Sequence, residues 1–358
     1  MSSKPKPLAA GIGGIGLRAF LLLIALALVG CRSTPPRPVH RFEFTHPAMG
    51  TLFSITLYAS DQSTAKAAAD AAFRRIDALE DVMSDYQADS ELMLLCDRPF
   101  GTPVPVSADL FDVLQEAQKY ARLSDGAYDP TVGPYVRLWR FARKRKVLPT
   151  PTELAAAREA VGWRKLRLDA HARTVTLLLP HMRLDLGGIG KGYAADQALR
   201  LLKRRGIDRA LVAASGDIAI GNPPPGQSGW KVGISQIDDR HNEVSRTLIL
   251  CNAGVSTSGD TEQFIEIGGI RYSHIIDPAT GLGMTNRLQS TIIAPNSTIT
   301  DGLDTAICLL GIRRGLALVD SLPRTAAIIL TKDGGENRAF PSRRFGRLLR
   351  PSGIMKDE

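Results

Sequence analysis

The hydrophobic positions of this chain change period several times, and each change predicts an element. "TLFSITLYA" (51–59) alternates, placing Phe53, Ile55 and Leu57 on one face of a strand. From Ser63 the spacing turns helical, with Ala69, Phe73, Ile76 and Met83 on one side. A second helix is predicted over 108–123, with Leu110, Leu114, Ala117 and Ala121 inward and Ser107 as its cap. Thr150-Pro151-Thr152-Glu153 supplies the cap, first-turn proline and capping-box glutamate of a third. Strands then dominate. "KLRLD" and "TVTLLL" flank "AHAR", and "ALVAA" and "DIAIG" surround Ser215-Gly216. "QFIEI" and "RYSHII" meet at Gly268-Gly269, a hairpin signal. "DTAICLLG" and "RRGLALVDSL" read as two short helices before the strand "AAIILT". Helices interspersed with hairpin-linked strands predict an α+β fold of mixed helices and largely antiparallel sheets. The chain changes character near 146–152, but no linker there demands separate domains.

The N-terminus follows a different rule. Lys4, Lys6 and Arg18 precede "AFLLLIALALVG" (19–30), an apolar run too short to span a bilayer comfortably and read as a signal-peptide core. It ends in Leu28-Val29-Gly30-Cys31, which resembles the bacterial lipobox, where cleavage leaves Cys31 as a lipid-modified first residue. The alternative is a plain signal peptide containing a cysteine. On the lipoprotein reading, 1–30 is the signal peptide, 31–44 a polar, proline-containing tether, and 341–358 a basic tail.

Charge adds a constraint. The chain of 358 residues has a formal net charge of +9, and cleavage would remove three positive residues to leave +6. Much of the excess sits in "RKRK" (143–146), "KRR" (203–205) and the arginines of 343–350, runs that usually form solvated faces. Export argues against nucleic acid as a partner and leaves an anionic ligand or a membrane surface. Cys96, Cys251 and Cys308 are odd in number, form no CxxC and have apolar neighbours, so they read as buried thiols.

Three stretches have the makings of a site. In "LDLGGIGKGYAAD" (184–196) a strand is predicted to end at Asp185-Leu186, with three glycines and Lys191 before a helix from Gly192. That helix would bury Ala194, Ala198, Leu201 and Leu202, and pair Asp196 with Arg200 four residues on. Free amides at a helix start beside a lysine make an anion site. The spacing matches neither GxxxxGK[ST] nor GxGxxG, so neither nucleotide fingerprint is supported. Alone, such a turn more commonly bears nothing but a surface lysine. In "TDGLDTA" (300–306), Asp301 and Thr305 stand four apart on a helix and are hard ligands suited to Mg²⁺. The simpler reading is a cap built from Thr298 and Asp301. "STSGDTEQFIEIGGIRYSHIIDPATG" (256–281) sets His274 on a strand, with Tyr272 and Ile276 on its face, before a turn at Asp277-Pro278 and Gly281. A lone histidine is more often structural, but this one alone of six lies among so many Ser, Thr, Asp and Gly residues.

These stretches occur in one order with MGT (49–51), SxYxxxSEL (84–92), SDGAYDPTVGP (124–134) and SGDIAIG (215–221). From Thr45 to Thr331 the chain thereby resembles the ApbE family of FAD:protein FMN transferases. The resemblance implies an ApbE-like domain over 45–340, with the flavin site in a cleft between two subdomains. It implies that FAD, the substrate, is contacted by Met49, Tyr86, Ala127, Tyr128, Asp129, Asp185, Lys191 and the backbone around Ile275. Mg²⁺ would be held by Asp301, Thr305 and the Gly188 carbonyl, with Lys191 as a counter-charge at the diphosphate. The implied reaction is Mg²⁺-dependent transfer of FMN to a threonine hydroxyl of an acceptor protein, with AMP leaving and His274 as base. The implied acceptors are flavoprotein subunits of electron-transfer complexes. The implied location is the bacterial cell envelope, at the periplasmic face of either membrane, anchored through Cys31. An FAD pyrophosphatase giving FMN and AMP, or a non-enzymatic flavin-binding lipoprotein, stays open beside it. The chain departs from the family pattern at Gly190 (often Ala), Cys96 (often Asn) and Asp304 (commonly small).

Overall fold

Alternation at the start of the domain becomes a hairpin in the computed structural model. β1 (His40–Ala48) pairs antiparallel with β2 (Thr51–Ala59), and Phe53, Ile55 and Leu57 of β2 are fully buried. The structure describes residues 1–5, 38–235, 244–259, 264–333 and 336–348. The signal-peptide core, Cys31 and most of the tether lie outside the described residues.

α1 (Gln62–Met83) starts on Asp61, whose side chain accepts from the Thr64 N–H, and buries Ala69, Phe73, Ile76 and Met83. After the short α2 (Glu91–Cys96) and β3 (Val104–Pro105) comes α3 (Ala108–Leu123), capped by Ser107 as predicted. α4 (Gly133–Arg145) is followed by α5 (Pro151–Arg158), whose Thr150/Glu153 capping box is complete. β4 (Leu166–Asp169) and β5 (Thr174–Leu177) form a small sheet with β3. α6 (Gly190–Arg204) leads to β6 (Ala210–Ala214) and β7 (Asp217–Ile220). Next come β8 (Trp230–Ser235), β9 (Val244–Leu250), β10 (Ala253–Gly259), and the hairpin β11 (Phe264–Ile267) and β12 (Ile270–Ser273). β13 (Leu288–Ala294), α7 (Ser297–Ser321), β14 (Ala326–Asp333), β15 (Glu336–Pro341) and α8 (Arg343–Leu348) complete the described chain.

Eight strands form the central sheet in the order β1-β2-β6-β7-β10-β13-β14-β15, every neighbouring pair antiparallel. α1, α6 and α7 cover one face. On the other, the β8–β9 ribbon and α8 bury Trp230, Val232, Leu248 and Phe345 against Val255, Ile293 and Ile328. β13 is consequently buried at every position, which explains its run of apolar and small polar residues. A satellite core of Tyr135, Trp139, Ala142, Tyr272 and Ile276 joins α4 to the β11–β12 hairpin.

Several expectations are corrected. The strand begins at His40, inside the expected tether, because Phe42 and Phe44 pack on the core along with β2. The expected tail is folded as far as Leu348: Ser342 caps α8 and Phe345 is fully buried. Near the C-terminus the two expected helices are present, meeting at Gly311, whose φ of 71° suits glycine, but the first starts earlier than expected, at Ser297. Of the three thiols, Cys96 and Cys308 are buried, but Cys251 is only half-buried.

Candidate active site

No regular strand leads into "LDLGGIGKG". Residues 183–187 are instead sewn onto the "AYDPTV" loop: Val132 and Arg183 form a parallel bridge, and the Asp185 N–H donates to the Pro130 carbonyl at 2.8 Å. That loop is fixed by Asp129, whose carboxylate accepts from Thr131 N (2.8 Å), Thr131 Oγ1 (2.6 Å) and Trp163 N (3.0 Å). Asp185 folds back to accept from Gly187 N at 2.8 Å, and α6 begins at Gly190, earlier than predicted.

α6 and α7 then meet closely. At Gly192 an added Cβ would lie 2.7 Å from the Asp301 Cβ, and the Gly192 N–H donates to Asp301 Oδ2 at 2.8 Å. Asp196 does not form the predicted side-chain pair with Arg200. Its buried carboxylate caps α7, accepting from Ser297 N (3.0 Å), Thr298 N (2.7 Å) and Thr298 Oγ1 (2.6 Å), and Asn296 accepts from Ile299 N. Capping thus belongs to Asn296 and Asp196, and Asp301 is released from the cap role that the sequence allowed it.

These contacts frame a cavity of about 590 Å³ at one end of the sheet. Its walls include the turns Met49-Gly50 and Ser215-Gly216, where Met49 and Ser215 hold positive φ in two-residue hairpins. Met49, Ala127, Tyr128, Asp129, Asp185, Gly188, Lys191, His274, Ile275, Asp301 and Thr305 all line it. His274 stands one residue beyond the end of β12, half-buried, while Tyr272 and Ile276 turn into the satellite core. Tyr86 does not join them: it is 55% exposed and its hydroxyl donates to Glu80. Sequence reasoning missed Asp217, Arg140 and Arg143. Asp217 is buried and ion-paired with Lys191, and both arginines line the cavity. The only signal for Asp217 was its place in SGDIAIG; the "RKRK" run hid Arg143 among solvated charges.

Around Lys191 the cleft gathers several buried carboxyl groups. Burial, then Asp217, pushes the Asp301 carboxyl up to about 7, against Lys191 and the Gly192 N–H. Burial would pull Lys191 down, but Asp217, Asp301 and Asp304 outweigh it and hold the ammonium above its ordinary value. Burial also drives Asp304 well above the carboxylate range; Ser290 donates to one of its oxygens, while Oδ2 has no partner among the described residues. The Tyr128 hydroxyl is buried and likewise without a hydrogen-bond partner among the described residues.

The donor set fits a small hard cation. Asp301 and Thr305 are one turn apart on α7, and Gly188 sits so close that a Cβ would lie 2.8 Å from Thr305 Oγ1 and 3.1 Å from the Tyr128 ring. A side chain there would fill the space between loop and helix. Among the described residues no three His, Cys, Asp or Glu side chains gather to hold a metal. A cation here would accordingly rest on one carboxylate, a hydroxyl, backbone and oxygens of a bound ligand, the partial coordination typical of Mg²⁺ on phosphates.

Comparison with known proteins identifies the family of the chain. The ApbE family model matches residues 49–329. The FAD:protein FMN transferase of Salmonella typhimurium is 32% identical over 345 residues, covering 93% of this chain and 97% of its own. The flavin transferase ApbE from Vibrio cholerae superposes with a TM-score of 0.78 at 29% identity, covering 86% of this chain and 99% of its own. The apo form of the Pseudomonas stutzeri flavinyl transferase ApbE gives 0.78 at 27%, covering 88% and 98%.

Proposed function

Because this chain belongs to the ApbE family, we propose that it transfers FMN from FAD to a threonine hydroxyl of an acceptor protein, with Mg²⁺ bound and AMP released. The observation that carries this reading is one cleft that gathers Lys191, Asp301, Thr305, the close-approaching Gly188 and His274.

In the transfer, the threonine oxygen forms a bond to the FMN-side phosphorus, the diphosphate bridge breaks, and AMP leaves with the bridging oxygen. Asp301, Thr305 and the Gly188 backbone are the residues to hold Mg²⁺, which when bound neutralises the diphosphate and polarises its oxygens. Lys191, kept charged by Asp217, supplies a fixed positive group at the same place. His274, in the cavity wall, receives the threonine proton. The unpartnered Tyr128 hydroxyl offers a hydrogen bond to the ligand. Asp129, with one oxygen held by Thr131 of its own loop and the other by the Trp163 N–H, serves by shaping the wall. The acceptors we propose are flavin-carrying subunits of electron-transfer complexes. We place the protein at the periplasmic face of the cell envelope, anchored through Cys31, on the strength of residues 28–31.

AMP release, measured with and without a threonine-containing acceptor domain, tests the activity. Transfer predicts AMP that depends on the acceptor. Release without acceptor indicates FAD hydrolysis, and unchanged FAD indicates a flavin-binding protein.

A further inference from the structure

A second groove, of about 550 Å³, adjoins the cleft, and Ala127 and Leu309 line both. Leu309 follows Thr305 by four residues on α7, so the groove starts one helical turn past the proposed metal ligands. A single segment walls the two spaces. It lines the cleft at His274–Ile276 and the groove between Asp277 and Asn286. Its two parts are tied together: the Ser273 N–H donates to the Met284 carbonyl at 2.8 Å, and the Met284 N–H to the Ile275 carbonyl at 2.9 Å. The backbone on either side of His274 is thus clamped to Met284 of the groove wall, and whatever lies in the groove is held in register with His274. Charge in the groove is unevenly matched. Asp125 pairs with Arg164 at 2.9 Å, and Asp277 accepts from Ala279 N (2.9 Å) and Thr280 Oγ1 (3.0 Å) of its own turn. Arg314, exposed where α7 resumes after Gly311, makes no ion pair or side-chain hydrogen bond among the described residues.

We infer that this groove seats the acceptor polypeptide in an extended conformation, with an acidic side chain a few residues from the threonine set against Arg314. This rests on the transferase reading above and adds to it the place of the protein substrate. A threonine within a chain carries residues on both sides, each extending about 3.3 Å, so the chain must leave the cleft across its rim. The groove is such a path. It opens from the cleft beside the segment that carries His274, and its polar wall exposes Thr285 and Asn286 for a backbone to meet. A nucleotide in the cleft already has a cation in Lys191, so the Arg314 charge is left for the second substrate.

The test uses the acceptor domain that gives acceptor-dependent AMP release. Steady-state kinetics in that domain, and fluorescence titration of FAD, are measured for the wild type, Arg314→Gln, Arg314→Lys and Asn286→Trp. Acidic residues of the acceptor near its threonine are replaced one at a time by their amides. Arg314→Gln should raise the acceptor KM roughly fivefold, the size of one partly exposed ion pair, and Arg314→Lys should restore most of it. One acceptor amide variant should raise it equally, and combined with Arg314→Gln it should be no worse than either change alone. Asn286→Trp, which fills the groove from an exposed position, should raise the acceptor KM about tenfold or more. In every enzyme variant, kcat at saturating acceptor and FAD affinity should stay within about twofold of wild type, a split that general damage to the fold would not give. An unchanged acceptor KM in either Arg314→Gln or Asn286→Trp would overturn the inference, as would an acceptor with no acidic residue near its threonine. Weakened FAD binding in these variants would overturn it too, by giving the groove to the nucleotide. If no domain accepts flavin from the wild type, the transferase reading fails, and this inference with it.

Discussion

Replacing Asp301 by Asn should abolish turnover and yet stabilise the metal-free protein. Asp301 is 2% exposed, and burial with Asp217 nearby pushes its carboxyl from an ordinary 3.8 up to about 7. A carboxyl raised on folding keeps its proton longer in the folded chain than in the unfolded one. Its contribution is therefore fully present below pH 3.8 and is lost as pH rises to about 7. Above that, holding the charge costs up to about 4 kcal/mol, at ~1.4 kcal/mol for each tenfold change in proton affinity. Relaxation around Lys191 reduces this, so a gain of about 2–4 kcal/mol is expected for Asn at pH 8. Asn retains an oxygen for the Gly192 N–H, so the α6–α7 contact survives. The assay is thermal unfolding in chelator at pH 5 and pH 8, repeated with Mg²⁺. The variant should melt several degrees higher than wild type at pH 8, with a smaller difference at pH 5. Mg²⁺ should raise the wild type and leave the variant unmoved. A variant less stable than wild type at pH 8 in chelator would refute the reasoning, because Asp301 would then be contributing to the fold and not only to a site.

Other substitutions separate the remaining roles. His274→Ala should lower kcat by about 10²–10⁴-fold with FAD affinity unchanged in a fluorescence titration, as expected for loss of a base. Gly188→Ala would set a Cβ 2.8 Å from Thr305 Oγ1, so calorimetry should find Mg²⁺ and FAD binding both impaired. The fold should survive that change at a cost of about 1–3 kcal/mol in denaturant unfolding. Asp196→Ala would strip three donors at the start of α7 of their acceptor, costing about 2–3 kcal/mol of stability by the same measurement.

Local pattern and long-range contact divide what could be read in advance. The β2 alternation and the Ser107 and Thr150 caps depend on neighbours within a few residues, and each stands where its spacing put it. Thr51 and Ala59 bound the strand, Ala108 and Leu123 the helix. The approach to "LDLGGIGKG" reads as a strand in sequence, but its partners, Pro130 and Val132, lie far back in the chain and leave no period in the segment. Helical spacing pairs Asp196 with Arg200, whereas the unsatisfied amides that claim it belong to α7, 101 and 102 residues on. Family motifs supplied the cleft residues that periodicity could not, yet they also brought in Tyr86, which faces outward here. The pairs Lys191–Asp217 and Arg140–Asp85 span 26 and 55 residues, and a charge in sequence does not say which distant partner it meets.

Intact-mass spectrometry of a threonine-containing acceptor domain tests the transfer most directly, after incubation with the mature protein, FAD and Mg²⁺. Transfer predicts an acceptor heavier by one FMN, less the water lost in forming the ester, with one AMP released for each flavin attached. The gain should vanish when the acceptor threonine is replaced by alanine. An acceptor of unchanged mass alongside released AMP would contradict transfer and leave hydrolysis as the activity of this cleft.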